Sequence, residues 1–300
     1  MSVASVTDEM DVVPSACRVH RVRGWIEALS PLTSFGDEKT GSTPLLRAIR
    51  WWVPAEADFV TMPYISGNAI RGMTSRLLAR DMLARIGMEP DHLSSRRLAH
   101  FLFSGGVLES KDEEGGLIDL GLRTELRETV PLIGLFGGAL ENQMWQGCLK
   151  CMHALPLCQE LAHLIGDERH AHDPRLEHPV RAFTDVTFHT RRDDVRGERS
   201  ADEQAVQMKV DFQVFVPGTR FVHEWALVHP SDLELAAFGQ LLQLWETHPW
   251  LGGKSGSGHG RVALHYDAVP DPQPYLDYLA NEAARVRQAL QRVDRAVGKG

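Results

Sequence analysis

The chain has 300 residues, 43% of them hydrophobic and 24% charged, enough for one large or two modest domains around a buried core. Its 26 glycines, 16 prolines and 7% aromatic content are near average and exclude collagen, coiled coil and general disorder. Forty acidic against 32 basic side chains give a formal charge of -8, which argues against a polyanion-binding surface overall but not against a local basic groove.

Residues 1–17 are polar, acidic and aperiodic, and are expected to form a flexible tail. Asp8, Glu9 and Asp11 precede any basic residue, unlike a secretion signal, and no apolar run approaches the ~20 residues of a membrane-spanning helix. A cytoplasmic protein without membrane contact is expected, with Cys17, Cys148, Cys151 and Cys158 as thiols. Residues 18–29, RVHRVRGWIEAL, read as a strand, followed by a turn-rich loop over 33–43 and a second strand over 48–53. After a break at 63–67 comes a helix capped by Ser66 or Asn68, with Ile70, Met73, Leu77 and Ala84 on one face. Residues 88–130 combine a short basic helix with the acidic stretch ESKDEEGG and suggest an inserted helical subdomain.

Residues 147–157 are a further strand candidate, and 163–179 a His- and Pro-rich connection. The clearest alternation follows. Val206, Met208, Val210, Phe212, Val214 and Val216 point one way, and Thr184, Val186 and Phe188 offer a matching apolar face upstream. Together, residues 181–216 predict a long β-hairpin with a charged tip. A strand over 219–228 leads to Ser231-Asp-Leu-Glu234, a capping box opening a helix that ends before Pro249. A Gly-rich loop, a strand over 261–266 and a terminal amphipathic helix within 271–300 complete the chain, the last with Leu279, Val286, Leu290, Val293 and Val297 on one stripe. This order is compatible with an α+β, ferredoxin-like sheet.

Two segments carry candidate chemistry. In GGKSGSGHGR (252–261) glycines, Gly256 among them, permit close backbone approach, while Lys254, Ser255, Ser257, His259 and Arg261 supply donors suited to phosphate oxygens. It is not a nucleotide-binding P-loop, because position 248 is His248 where that motif needs glycine. In YISGNAIRGMTSRLLARDML (64–83) a turn at Gly67 and Asn68 opens a helix whose free amides form an anion site, with Arg71 and Arg76 in reach of phosphates. Each segment alone also reads as an ordinary turn or a capped helix with solvated arginines.

Together they resemble the RAMP superfamily, the RNA-binding proteins of CRISPR systems. Ile65-Ser-Gly-Asn-Ala-Ile-Arg-Gly72 followed by Arg76 is similar to the family's motif at the opening of a helix, with Ser66 where proline is usual. Residues 253–262 resemble its Gly-rich loop, and GWIEALSPL (24–32) its first strand; LFGG (135–138) and VFVPGTRF (214–221) add agreement. The likeness spans residues 18–267 and is strongest to the type IV backbone subunit. It implies a ferredoxin-like (RRM-like) core over 18–270 with an insertion at 88–130 and a thumb hairpin at 181–216. It also implies a subunit that binds guide crRNA, polymerises with copies of itself into a filament and joins other CRISPR effector subunits. The target nucleic acid would then be recognised by base pairing to the guide. The implied guide contacts are Gly67, Asn68, Arg71, Arg76, Lys254, Ser255, Gly256, Ser257, His259 and Arg261, with Met208 near the thumb.

Type III relatives cut target RNA with an aspartate in the loop after the first strand. Here Ser42 stands at the aligned place, and a hydroxyl cannot replace a metal-assisting carboxylate; Asp37 lies in the same loop. No catalysis and no cofactor are expected, the alternatives being a type III-like subunit with metal-dependent cleavage or an unrelated metal-dependent hydrolase. The hydrolase alternative would use His170, His172, Asp173 and His178, otherwise loop histidines, while Cys148, Cys151, His153 and Cys158 are separate zinc candidates, otherwise buried thiols.

Overall fold

The computed structural model describes residues 18–89, 93, 96–106, 120–140, 143–165, 170–192 and 207–297. The tail at 1–17, the acidic stretch at 109–116 and the hairpin tip at 193–206 lie outside the described residues.

The central sheet is built from β1 (Val19–Ala28), β8 (Leu149–Cys151), β9 (Leu155–Pro156), β12 (Arg220–Val228) and β13 (Val262–Tyr266). Its spatial order is β13-β1-β12-β8, with β9 continuing alongside β12 beyond β8. With α1 (Gly67–Arg85) between β1 and β8, and α5 (Asp232–Thr247) between β12 and β13, this is the antiparallel 4-1-3-2 sheet of a ferredoxin-like α+β fold. Alternation in β1 sets its two faces. Val22, Ile26 and Ala28 are buried beneath the helices, whereas Arg21 and Arg23 face outward and share Glu224 of β12.

The capping box at α5 is present: Ser231 Oγ accepts from the Glu234 amide at 3.1 Å, and Glu234 accepts from the Ser231 amide at 2.7 Å. Glu234 is buried and also takes Arg127 of α3 (Leu120–Thr129) at 2.8 Å, joining the insertion to the core. Helix α2 (Arg96–Ser104) of the insertion, and α4 (Pro131–Phe136) just after it, bury Leu98, Phe101, Leu102, Leu132 and Leu135 in the same hydrophobic cluster as the sheet. The insertion therefore packs into the main core, where its composition suggested a separate unit. The last helix, α6 (Gln273–Val297), docks there through Leu279, Val286, Leu290 and Val293.

Among the described residues four two-stranded sheets decorate the core. The stretch expected to be a loop over 33–43 is instead a hairpin of β2 (Phe35–Thr40) and β3 (Thr43–Leu46), closed by Gly41 at φ 62° and Ser42. A two-residue turn beginning with a positive-φ glycine matches the twist of flanking strands, a signal that the polar composition hid. The strand at Ala48–Val53 (β4) pairs with β5 (Asp58–Pro63), and β6 (Gly137–Leu140) pairs with β7 (Gln143–Gln146). The long hairpin consists of β10 (Thr184–Arg192) and β11 (Gln207–Phe215).

Two details depart from the sequence pattern. On α1 the buried positions are Gly67, Ile70, Thr74, Leu78, Ala79, Met82 and Leu83, with Ala84 exposed; Thr74 hides its hydroxyl on the Ile70 carbonyl at 2.9 Å and joins the inner face. In the long hairpin, Val186 pairs with Gln213 and Phe188 with Asp211. Directly paired antiparallel residues share a face. Val186 and Phe188 therefore lie opposite the face of Phe212 and Val214, and are 56% and 53% exposed.

Candidate nucleic-acid interface

The Gly-rich loop is strapped to the end of β1. The Gly253 amide donates to Thr33 O at 3.2 Å, Thr33 Oγ1 donates to Gly253 O at 2.9 Å, and the Gly260 amide donates to Pro31 O at 2.8 Å. A side chain cannot stand at Gly252: φ is 80°, and a Cβ there would lie 2.0 Å from the Thr33 carbonyl oxygen. The tip differs. Ser255, Gly256 and Ser257 are exposed, and a Cβ on Gly256 meets nothing within 4 Å. Arg261 is exposed, with its amide held by Ser30 Oγ at 2.9 Å. Lys254, left-handed at φ 61°, lays its ammonium 4.3 Å from the centre of the Phe212 ring.

His259 faces inward rather than toward a ligand. It is buried, and its Nε2 lies 2.9 Å from Nε2 of His189 in β10. Through Lys254–Phe212 and His259–His189 the loop and the base of the hairpin form one unit. The hairpin's other face leaves Val186 and Phe188 open, with Lys209 Nζ 4.5 Å from the Phe188 ring centre. Met208 lies in β11 opposite Arg191, and its side chain is outside the described residues.

At the start of α1 the amides are already taken. Ser66 Oγ accepts from the Asn68 amide at 3.3 Å, Ser66 O accepts from Ala69 at 2.9 Å, and Nδ1 of His153 accepts from Gly67 at 3.0 Å. The link between β8 and β9 folds over the helix start so closely that a Cβ on Gly67 would sit 2.4 Å from the Cys151 carbonyl oxygen. The free-amide anion site expected from the sequence is therefore closed, and any anion binding falls to side chains. Asn68 and Arg76 are exposed. Arg71 is half-buried, donates to the Phe136 carbonyl oxygen and lies 5.3 Å from the centre of the Phe136 ring; burial pulls its pKa below the usual arginine value. Arg71 and Arg76 border a cavity of about 420 Å³ between α1, α2 and α4.

Topology places the Gly-rich loop beyond the end of β1, where Val262 pairs with Ala28, and the helix start along the opposite edge near the middle of the sheet, since Cys151 pairs with Trp225 and Trp225 with Val22. The loop feeds β13, and Gly67 packs against the end of β8. Three strand spacings of about 4.8 Å separate those edges, on the order of 14 Å. The two turns do not close on each other; a strand contacting both would run obliquely across the sheet.

Among the described residues no group of three or more His, Cys, Asp or Glu side chains is arranged to hold a metal. Burial pushes the Cys148 thiol up to about 12, and the Cys151 and Cys158 thiols are raised further. His170 is buried against the Trp25 ring, and Asp173 accepts from Arg175 and Arg220. Cys17 lies outside the described residues. Asp37 is exposed on β2, and Ser42 is exposed in the hairpin turn.

Sequence reasoning missed Thr33, His189 and Phe212 as supports of the loop and considered His153 only as a metal ligand. The Thr33 strap follows from the turn after β1, but the pairing of His189 with His259 depends on hairpin register and leaves no local signal.

No family model matches the sequence, and no curated protein matches it. The fold, however, is that of a chain in a solved structure described as a Type IV-B CRISPR Complex, with a TM-score of 0.56, 23% identity, and coverage of 83% of this chain and 91% of that one.

Proposed function

We propose that the chain is a non-catalytic backbone subunit of a CRISPR ribonucleoprotein, polymerising along a guide crRNA and presenting it for pairing with a target nucleic acid. The observation that carries this reading is the joining of a glycine-rich loop, open and hydroxyl-bearing at its tip, to a hairpin whose outer face exposes Val186 and Phe188. The likeness in fold to a chain of a type IV-B complex supports it. Phosphates of the guide run past Lys254, Ser255, Ser257 and Arg261, then toward Asn68, Arg71 and Arg76 at the other edge. His259 acts from behind as a brace. The apolar outer face of the hairpin packs on bases or on the next copy, and other CRISPR subunits close the assembly.

The chain reads phosphates and not bases, so it binds single-stranded RNA of any sequence with a strong salt dependence. Filter binding of unrelated single-stranded RNAs at several salt concentrations tests this. Similar affinities with a steep negative log–log slope support it; binding without salt dependence, or no binding at low salt, refutes it.

A further inference from the structure

The cavity between α1, α2 and α4 has a use beyond holding phosphates. Its floor includes Phe101, Phe136 and Leu132, and its rim carries Arg71, Ser75, Arg76 and Ser104. Among the described residues no carboxylate lines it, although acids outnumber bases 40 to 32 in the chain. Arg71 is half-buried there, against the Phe136 carbonyl and ring, and among the described lining residues its charge meets no anionic group. A half-buried guanidinium in that state gains from an anion brought by a ligand. About 420 Å³ is more than a phosphate fills and falls within the range of sites that enclose small organic ligands. An aromatic and aliphatic floor beneath two arginines and two hydroxyls suits a flat ring joined to a phosphate.

We infer that this cavity holds one nucleotide of the bound strand, its base on the Phe101–Phe136 floor and its phosphate at Arg71 and Arg76. The inference rests on the RNA-binding reading above. It adds a base-enclosing subsite that takes any base, since hydroxyls and guanidinium groups on the rim can meet different ring edges.

The test compares a single-stranded oligoribonucleotide with an abasic ribose-phosphate strand of the same length, on the full chain and on Ser75→Trp. Ser75 is half-buried on α1, and an indole there fills the cavity while both arginines remain. Stacking energies predict that the wild type prefers the base-bearing strand by about 10-fold or more. Ser75→Trp is expected to lose most of that preference and to keep its salt dependence. Ser104→Trp, exposed at the end of α2, gives the same result at a position where misfolding is not at issue. If both variants keep the wild-type preference, the cavity assignment is overturned while RNA binding stands. If the wild type binds neither strand, the RNA-binding reading falls and the cavity assignment with it.

Discussion

The Nε2 atoms of His189 and His259 lie 2.9 Å apart, so a histidine of the hairpin and a histidine of the glycine-rich loop share one proton. One ring donates and the other accepts, which requires at least one of them to be neutral. Burial, then the nearby charges of His189 and Lys254, lowers the His259 pKa below the ordinary histidine value.

This gives a pH dependence with a definite sign. A histidine with a depressed folded pKa takes up its proton more readily when unfolded. Its contribution to stability is therefore complete above the unfolded value and is lost as pH falls from there toward the folded one. His223 acts in the same direction: burial pushes it from 6.5 to about 3, outweighing the Met152 O contact at 3.1 Å that favours the charged ring; Tyr266 Oη lies 2.7 Å from its Nδ1. The midpoint of thermal unfolding is expected to fall between pH 7.5 and pH 5, and to fall less in His259→Asn. A midpoint flat across that range contradicts the assignment.

The glycines of the loop are not equivalent. Gly252→Ala forces a methyl group onto the Thr33 carbonyl at a positive φ and is expected to cost about 1–3 kcal/mol and to weaken RNA binding. Gly256→Ala adds a methyl group to open space and is expected to stay within about 0.5 kcal/mol of the wild type. Urea unfolding of the two variants separates these outcomes.

His153 closes the start of α1 by accepting from the Gly67 amide. His153→Leu removes that acceptor and is expected to destabilise by about 1 kcal/mol, and His153→Asp to recover the loss, because a carboxylate both accepts the bond and suits the positive end of the helix dipole. Equal stability of the two variants in urea unfolding counts against the cap.

Phosphate contacts predict the response to salt. Each contact on a single strand contributes a log–log slope of about -0.7. Lys254→Ala and Arg76→Ala should each make the slope shallower by close to one contact, with no change in sequence preference. Equal loss of affinity at an unchanged slope is the opposing result.

Cleavage is not expected. With magnesium and a paired target RNA, the assembled chain should leave the target intact, and Asp37→Ala should behave as wild type. Fragments at regular intervals, lost in Asp37→Ala, would reverse that assignment.

Where the chain obeys simple periodicity, the sequence was a sufficient guide. Alternation in RVHRVRGWIEAL and the Ser231–Glu234 box specify β1 and the start of α5 locally, and both stand as expected. The errors arise where tertiary contacts decide. Hairpin register turns Val186 and Phe188 outward, and the β8–β9 link brings His153 onto amides that the sequence left open. The arginines and the glycine loop were legible as anion-binding candidates; their placement on opposite sheet edges was not, because strand order is fixed by packing between distant segments.

The most direct measurement is electron microscopy of the full chain co-expressed with a guide-length RNA. The account predicts regular helical arrays whose length follows that of the RNA and which dissolve on ribonuclease treatment. Isolated, RNA-free particles under the same conditions contradict it.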